Sequence, residues 1–352
     1  MWHSRRTYLA AIGATTGAGL GGCASVDIGV FGDGDDYSTE LLLNWQLGGL
    51  HTPYVVARER GYYAEEGINL ENIERGQGSD FSATQVGLEN VDFGVTSGDQ
   101  VLAVTDEGLA PRCVAVVMQR GPVVLFTDRD AFGERLDEPD QLAETTVGSG
   151  PGMVRTMTEA YLEYHGLSDD VTVADAGADV VQQLLTGEVD VGAGVFSDVV
   201  DARHQGGEID ELSVAADVPA YGHVIATHDE LIDTAPALVE GVLRATARGA
   251  AWAGTEPAAA TDLLVEAEPE LEPVRENQRD KWEALANEYM LSEAVETNGW
   301  GVSDENVWDA TAEVLADHDL VDDALDPQTV WTNEYLDTDD EYVGGFADYV
   351  GE

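Results

Sequence analysis

The segment LLLNWQLGGLHTPYVVARERGYYAEEGINLENI, residues 41–73, decides the fold of this chain. Its apolar run over 41–45 predicts a β-strand, and Pro53 then opens a helical pattern that continues towards Gly61. A second strand is predicted over 68–73. Short apolar runs that alternate with helical patterns are typical of an α/β fold, so we expect this class for the whole body of the protein.

A later part of the chain repeats this design about a hundred residues further on. The stretch 184–192 has the same order as 88–94, with a helix end, a tight acidic turn and a strand of the form Val-Asp-x-Gly. Two such units predict two lobes of related construction. They do not predict a solenoid, which needs more repeats.

Two apolar strands are the expected crossings between these lobes. Residues 122–127 lead out of the first lobe, and residues 221–227 form the return. We therefore predict a first lobe made of residues 40–127 and 222–352, which includes the C-terminal helices. The second lobe, residues 128–221, is inserted within it.

Acidic residues dominate the composition of the 352-residue chain. There are 69 Asp and Glu against 16 Lys and Arg, the net charge is −53, and Lys281 is the single lysine. Nucleic acid is excluded as a partner, because phosphate binding needs clustered basic side chains. A surface with many acids and almost no lysine suits a halophilic protein, since molar salt screens its self-repulsion. The alternative is an acidic protein that works in ordinary salt.

The N-terminal segment carries a targeting pattern. Residues 4–9 read Ser-Arg-Arg-Thr-Tyr-Leu, and a short Gly- and Ala-rich run leads to Leu-Gly-Gly-Cys at 20–23. This pattern resembles a twin-arginine export signal that ends in a lipobox. We expect residues 1–22 to be the signal, Cys23 to carry a lipid, and residues 23–39 to form an acidic tether. The protein would then be exported and anchored to the outer face of the cytoplasmic membrane; the alternative is a cytoplasmic protein with an accidental match.

The motifs of common enzyme classes are missing from the sequence. The seven histidines and two cysteines have no metal-ligand spacing, and there is no nucleophile elbow, Walker loop or dinucleotide fingerprint. No metal and no cofactor are therefore expected. Cys113 lies in an apolar run that predicts a buried structural thiol.

The opening of the fold carries a family resemblance. It lies in Asn-Trp-Gln-Leu-Gly-Gly-Leu-His-Thr-Pro-Tyr from Asn44, followed by Arg-Gly-Tyr-Tyr-Ala-Glu-Glu-Gly from Arg60, and it continues to Gly249. These residues resemble the substrate-binding proteins of ABC importers for aliphatic sulfonates, nitrate, taurine and thiamine pyrimidine precursors. The pattern is closest to the pyrimidine-precursor, or NMT1/THI5-like, branch. The resemblance covers most of residues 41–335 and implies a type II periplasmic-binding-protein fold, with the ligand held between two lobes.

The ligand site is expected beyond the carboxyl ends of the strands, as in other α/β sheets. In the first lobe the expected ligand-binding residues are Asn44, Trp45, His51, Tyr54, Gly78, Ser79, Thr96, Ser97, Met118 and Tyr221. In the second lobe they are Ser149, Gly150, Phe196, Asp198 and Asp201.

Several of these residues have a plain structural alternative. Trp45 closes a strand before a Gly-rich loop, where it can stack on a flat ligand or belong to the core. His51 precedes a helix start and can bond a ring nitrogen, or it is an ordinary loop residue. Thr96 and Ser97 offer hydroxyls to a ligand or cap a helix. The loop 148–152 can bind an anion or carbonyl oxygen, or simply make a tight turn.

The resemblance also implies an acidic residue in the second lobe that accepts from an exocyclic amine. Asp198 and Asp201 both fit, and the register is ambiguous. The arginines nearest the expected cleft edges are Arg120, Arg129 and Arg155, which favours a neutral or weakly basic aromatic ligand over an anion.

The function expected from these observations is a lipid-anchored receptor, not an enzyme. It would be a monomer that captures hydroxymethylpyrimidine or its aminomethyl relative by lobe closure and delivers it to an ABC permease with its ATPase. The alternative ligands are sulfonate, nitrate, taurine or riboflavin. A pyrimidine synthase is a further alternative, but the Cys-Cys-Cys-Phe-Cys segment of that related enzyme is absent here.

Overall fold

The structure is a computed structural model that describes residues 37–150, 152–177, 179–322 and 324–351. The predicted signal, the lipidation site Cys23 and residues 23–36 of the predicted tether lie outside these ranges. Ten strands are present in the described ranges: β1 Tyr37–Leu42, β2 Ile68–Glu74, β3 Phe93–Ser97, β4 Pro111–Val116, β5 Val123–Asp128, β6 Thr146–Ser149, β7 Thr172–Asp175, β8 Val191–Val195, β9 Ile209–Ser213 and β10 His223–His228.

The α-helices lie between these strands and after the last of them. They are α1 Thr52–Glu59, α2 Tyr62–Glu65, α3 Ser79–Gly87, α4 Gly98–Asp106, α5 Arg129–Phe132, α6 Met153–Tyr164, α7 Val180–Thr186, α8 Phe196–His204, α9 Asp229–Thr234, α10 Pro236–Thr255, α11 Pro257–Ala267, α12 Arg275–Ala284, α13 Glu293–Asn298, α14 Glu305–Asp317 and α15 Glu341–Gly344. A π-helical turn, Leu285–Tyr289, continues α12, and a short 3₁₀ turn, Gly49–His51, precedes α1.

The strands form two five-stranded sheets that share one strand order. Sheet A has the order β2-β1-β3-β10-β4, and sheet B has the order β7-β6-β8-β5-β9. In each sheet the fourth position holds an antiparallel strand, β10 in sheet A and β5 in sheet B. The repeated Val-Asp-x-Gly stretches of the sequence lead into β3 and β8, which hold the same central position. The α/β prediction is confirmed.

Three predicted boundaries are wrong. Strand β5 pairs with β8 and β9, so residues 123–127 belong to sheet B and not to the first lobe. An apolar run predicts a strand but cannot reveal which sheet completes its hydrogen bonds. The predicted tether ends too late, because residues 37–39 already pair with β2. The first strand also ends at Leu42 and not at residue 45, where the chain has turned into a loop.

Apolar side chains fill the space between sheets and helices. Cys113 is fully buried among them, as predicted, and burial raises the pKa of its thiol to about 12. This thiol is therefore inert and packs as a small apolar group. Within the described residues, no helix combines the length and the apolar character needed to cross a membrane.

Candidate functional site

Polar side chains meet at one edge of sheet A. Strands β1 and β3 are parallel and β10 is antiparallel to β3, so the carboxyl ends of β1 and β3 lie beside the start of β10. Asn44 follows β1, Ser97 ends β3, and His223 opens β10 directly opposite Ser97 in the ladder. We call five residues at this edge the polar cluster: Asn44, His51, Ser97, Asp99 and His223.

The backbone of Asn44 is held by the glycine loop that precedes α3. Gly78 donates its amide to the Asn44 carbonyl at 2.8 Å, and Gly76 donates to the Trp45 carbonyl at 3.1 Å. A Cβ on Gly76 would lie 1.9 Å from the carbonyl oxygen of Leu43. Only glycine fits at this position, and the close approach keeps Asn44 at the sheet edge.

Two histidines flank the side chain of Asn44. The amide Oδ1 lies 2.9 Å from His51 Nε2, and the amide Nδ2 lies 2.9 Å from His223 Nε2. The two imidazole rings are nearly parallel, with centroids 5.9 Å apart. Both histidines are buried, with 3% and 8% of their surface exposed. His51, predicted to bind the ligand with an ordinary loop residue as the alternative, is buried and hydrogen-bonded at the sheet edge.

Both histidines are uncharged at neutral pH. Burial lowers the pKa of His51 to about 3, with a smaller contribution from His223, and burial lowers the pKa of His223 to about 4. Neutral imidazoles can each donate through one ring nitrogen and accept through the other. The histidines therefore offer hydrogen bonds without positive charge.

Four buried polar atoms of the cluster have no hydrogen-bond partner among the described residues. They are the Nδ1 atoms of His51 and His223, the hydroxyl of Ser97 and Oδ1 of Asp99. Gln100 occupies the other Asp99 oxygen at 2.7 Å, and burial raises the pKa of Asp99. An unsatisfied buried polar atom costs about 1–3 kcal/mol, so a concentration of them at a strand edge indicates a place where a ligand or water completes the bonds.

The matching edge of sheet B has a different character. Ser149 ends β6 and donates to the neighbouring Gly150 carbonyl at 3.0 Å. Phe196 begins α8 and stacks on Tyr289, with centroids 4.1 Å apart. Asp198 accepts from the Val195 amide at 2.8 Å through Oδ2, and burial raises the pKa of Asp198. Residue 151 of the predicted 148–152 loop lies outside the described residues.

Asp201 makes an ion pair and a hydrogen bond within the protein. Its carboxylate accepts from Lys281 at 2.8 Å and from Asn277 at 2.8 Å, so it joins α8 to α12. The single lysine of the chain thus occupies one of the two aspartates expected at the ligand. Asp198 is the second-lobe acid that remains available.

Tyr221 and Thr96 also make contacts within the protein. The Tyr221 ring packs edge-on against Trp308, and its hydroxyl accepts from the Asp304 amide at 2.7 Å. Thr96 donates to the Ser79 carbonyl at 2.7 Å. A strand end is a good sign of a site, but the side chains there alternate between the site and the core.

Other predicted residues differ in their burial and in their place in the fold. Tyr54 and Met118 are fully buried in the core that backs the site. Trp45 is 58% exposed, so the alternative that it is a core residue is wrong. Ser97 stands at the N-cap position of α4 without making a capping bond, which removes the alternative that it caps this helix.

The three arginines near the expected cleft differ in their partners. Arg129 pairs with Asp210 and Glu208, and Arg155 pairs with Glu159 at 3.3 Å. For the exposed Arg120, the structure shows no carboxylate within ion-pair distance among the residues it describes. Within the residues that the structure describes, no group of three or more His, Cys, Asp or Glu side chains is placed to hold a metal ion.

Sequence reasoning missed His223 and Asp99. His223 stands in the predicted return strand, two residues after Tyr221, and a polar residue at the start of an apolar strand was the available signal. Asp99 follows the Thr-Ser-Gly end of β3, but one acid among 69 gives no signal without its burial.

The chain is similar to several known proteins. The model of the family described as NMT1/THI5 like matches residues 49–260. The riboflavin-binding protein RibY of Chloroflexus aurantiacus is 30% identical over 299 residues, which cover 81% of this chain and 82% of that protein. The formylaminopyrimidine-binding protein of Halalkalibacterium halodurans is 25% identical over 81% of this chain and 86% of its own length.

Some relatives carry enzyme names. The 4-amino-5-hydroxymethyl-2-methylpyrimidine phosphate synthase of Legionella pneumophila is 27% identical over 66% of this chain and 74% of its own length. Among solved structures, the periplasmic aliphatic sulphonate binding protein of Escherichia coli has a TM-score of 0.63 and 15% identity, with 84% of this chain and 92% of that chain covered. That likeness confirms the two-lobed periplasmic-binding-protein fold. The chain therefore belongs to the NMT1/THI5-like family.

Proposed function

We propose that this protein is a receptor of an ABC importer that captures a thiamine pyrimidine precursor, such as hydroxymethylpyrimidine or its aminomethyl relative. The observation that carries this proposal is the polar cluster at the edge of sheet A, where four buried polar atoms have no hydrogen-bond partner within the described part of the chain. Trp45 stands exposed on the same loop that leads to His51 and offers an aromatic face for a flat ring.

The charge of the cluster supports a neutral or weakly basic ligand. The two histidines are neutral, and Asp99 and Asp198 add carboxyl groups near the strand ends. A sulfonate or nitrate would have to approach these acceptors without a compensating cation in the cluster. A carboxyl group is in contrast a good partner for an exocyclic amine.

Riboflavin is the second candidate ligand, and the similarity to RibY favours it. The isoalloxazine ring is also flat and heteroaromatic, so the same tryptophan and polar atoms could serve it. It is much larger than a pyrimidine, and the size of the captured ligand therefore separates the two proposals.

Capture without turnover is the proposed mechanism. The ligand binds first to the edge of sheet A, and sheet B with Phe196 and Asp198 closes over it. In this proposal, contacts from α8 to α12, such as Asp201 with Lys281, stabilise the closed form, and the permease recognises that form. A pyrimidine synthase is the competing function, because several relatives carry that name.

The proposed setting follows from the sequence alone. Residues 1–22 would direct export through the twin-arginine route, and a lipid on Cys23 would anchor the monomeric protein to the outer face of the cytoplasmic membrane. Exchange of Arg5 and Arg6 for lysine should abolish surface delivery; normal delivery would contradict this route.

A halophilic protein should unfold at about 0.1 M salt and fold in several molar salt. Equal stability in both would contradict the halophile proposal.

Calorimetry in molar salt tests the ligand. The probes are hydroxymethylpyrimidine, its aminomethyl relative, thiamine, riboflavin, taurine and nitrate, each titrated into the folded protein. Heat released by a pyrimidine, with the compound recovered unchanged, is the expected result. Binding of an anion without response to any pyrimidine or to riboflavin would overturn the proposal, and conversion of a pyrimidine would establish an enzyme.

A further inference from the structure

The side chain of Asn44 connects two neutral imidazoles through opposite ends of one amide. Its Oδ1 can only accept, and its Nδ2 can only donate. His51 Nε2 lies at the accepting end and His223 Nε2 lies at the donating end, each at 2.9 Å. One histidine must therefore donate to the amide, and the other must accept from it.

The hydrogen bonds determine one tautomer for each ring. His51 must carry its proton on Nε2 to donate to Oδ1, which leaves Nδ1 as a bare acceptor. His223 must have a bare Nε2 to accept from Nδ2, so its proton lies on Nδ1, which becomes a donor. These are the two Nδ1 atoms that have no partner among the described residues.

The result does not depend on the orientation of the amide. If the amide of Asn44 were turned over, its nitrogen would face His51 and its oxygen would face His223. The two tautomers would then exchange, and one free Nδ1 would still be a donor while the other would be an acceptor. A single amide between two neutral histidines always produces this complementary pair.

We propose that Asn44 is a specificity-determining residue that gives the buried site one Nδ1–H donor and one Nδ1 acceptor for the ligand. The chemical class selected is a heterocycle whose edge carries an acceptor next to a donor, as a ring nitrogen beside an exocyclic amine does. Ligands with acceptors alone, such as nitrate and sulfonates, are selected against because one Nδ1 lone pair faces them. The ligand half of this inference rests on the proposed function.

The two rings lie close together and are shielded from bulk water. The imidazoles are nearly parallel at 5.9 Å between centroids, and each is nine-tenths or more buried. Both histidines have lowered pKa values, which keeps them neutral and preserves the tautomers.

Nitrogen-15 NMR of the ligand-free, full-length protein tests the tautomers directly. The ring nitrogens of a protonated and a bare position differ widely in chemical shift, and His51→Gln and His223→Gln assign the two buried rings. The expected wild-type spectrum shows one of these rings protonated at Nδ1 and the other at Nε2. Two identical tautomers would overturn the inference. The tautomers are measured on the wild-type protein, and the two variants serve only to assign its signals.

Asn44→Asp extends the test, because a carboxylate has two accepting ends. Both histidines must then donate through Nε2, and the Nδ1–H signal should disappear. Asn69→Asp is the matched control, since it makes the same chemical change on the exposed side of β2, where Asn69 bonds only Ser38. The control should keep the wild-type pair of tautomers. A neutral ring protonated only at Nδ1 in a folded Asn44→Asp protein would contradict the role of Asn44. A ring protonated at both nitrogens is an imidazolium, which the new carboxylate stabilises, and its two protonated-nitrogen shifts distinguish it from the neutral ring.

Binding separates this inference from the proposed function. The probes are 4-amino-5-hydroxymethyl-2-methylpyrimidine and the same compound without its amino group, with nitrate as the acceptor-only ligand. We expect Asn44→Asp to weaken binding of the aminopyrimidine by about tenfold or more, and Asn69→Asp to leave it unchanged. Complementary tautomers without binding of any heterocycle would refute the proposed function alone. Identical tautomers with tight aminopyrimidine binding would refute the inference alone.

Discussion

Sheet A and sheet B have equivalent strand orders, but the side chains at their strand ends differ in their hydrogen bonding. At the edge of sheet A, two neutral histidines, a serine and an aspartate have buried atoms to which none of the described residues is hydrogen-bonded. At the edge of sheet B, Ser149 bonds its neighbour, Phe196 stacks on Tyr289, and Asp198 caps its own helix. One topology thus supplies an edge with unpartnered polar atoms and an edge whose side chains bond or stack within the protein. The difference lies in the side chains at equivalent strand ends.

The largest difference between the two edges is expected in the unfolding free energy lost when a glycine is replaced. Gly76→Ala would place a Cβ 1.9 Å from the carbonyl oxygen of Leu43, and backbone cannot move aside without breaking the loop at Asn44. We expect a loss of more than about 3 kcal/mol in unfolding free energy, measured by denaturant titration in molar salt. Gly148→Ala, in β6 of sheet B, is the control. Its Cβ would meet the Val189 methyl groups at 2.9 Å, which can give way at a cost of about 1 kcal/mol. Equal losses would contradict the special packing at Gly76.

Acid should act on the edge of sheet A through its histidines. Their folded pKa values, about 3 for His51 and about 4 for His223, lie below the usual value near 6.5. Below pH 6.5 the unfolded chain therefore takes up protons that the folded chain refuses, and stability present at pH 7 is lost as pH falls. We expect about 3 kcal/mol of this loss per histidine by pH 4.

The matching measurement compares wild type with His223→Gln over pH 4–8 in constant salt. The raised pKa values of Asp99 and Asp198 act in the opposite direction, because these carboxyls take up protons more readily when folded. They are common to both proteins, so the difference between the two curves isolates the histidine. Parallel curves would show that His223 does not titrate as a buried neutral group.

Trp45 tests whether the edge of sheet A reads a flat ligand. Because its side chain is 58% exposed, Trp45→Ala should leave the melting temperature nearly unchanged. Loss of stacking should weaken ligand binding by about 1–3 kcal/mol, measured by calorimetry with the wild-type ligand. Unchanged affinity in the folded variant would refute the stacking role.

Asp201 tests the contact between α8 and α12 and should give the smallest effect. Asp201→Asn removes the charge opposite Lys281, but a partly exposed pair in molar salt contributes less than about 0.5 kcal/mol. We expect a loss of ligand affinity of about twofold or less and a small drop in thermal stability. Asp198→Asn is the comparison, because it should lower affinity for an amine-bearing ligand. A large affinity loss for Asp201→Asn alone would exchange the roles of the two residues.

Much of the fold could be predicted because periodicity and turn residues act locally. The alternation of apolar runs and helices identified the α/β class, and the repeated Val-Asp-x-Gly stretches located β3 and β8. The assignment of residues 123–127 failed because the run Val-Val-Leu-Phe-Thr fits either sheet equally well. Strand pairing is a long-range choice, and the sequence near a strand does not record its partner.

Part of the polar cluster could be predicted for the same reason. Strand ends indicated Asn44, His51 and Ser97, since the residues that follow parallel strands share an edge. The sequence could not separate Asp198 from Asp201, or Tyr221 from His223, because each pair lies on one short stretch. The two members of each pair differ in their hydrogen-bond partners, which only the folded structure shows.

The sequence by itself determined the α/β class, the family and the acidic character of the protein, because these depend on composition, periodicity and local motifs. Only the tertiary structure placed β10 beside β3 and brought His223 to the amide of Asn44, 179 residues away. Burial then neutralised both histidines and left their Nδ1 atoms without partners. Burial and hydrogen-bond partners are properties of the folded chain, and they gave these polar residues their chemistry.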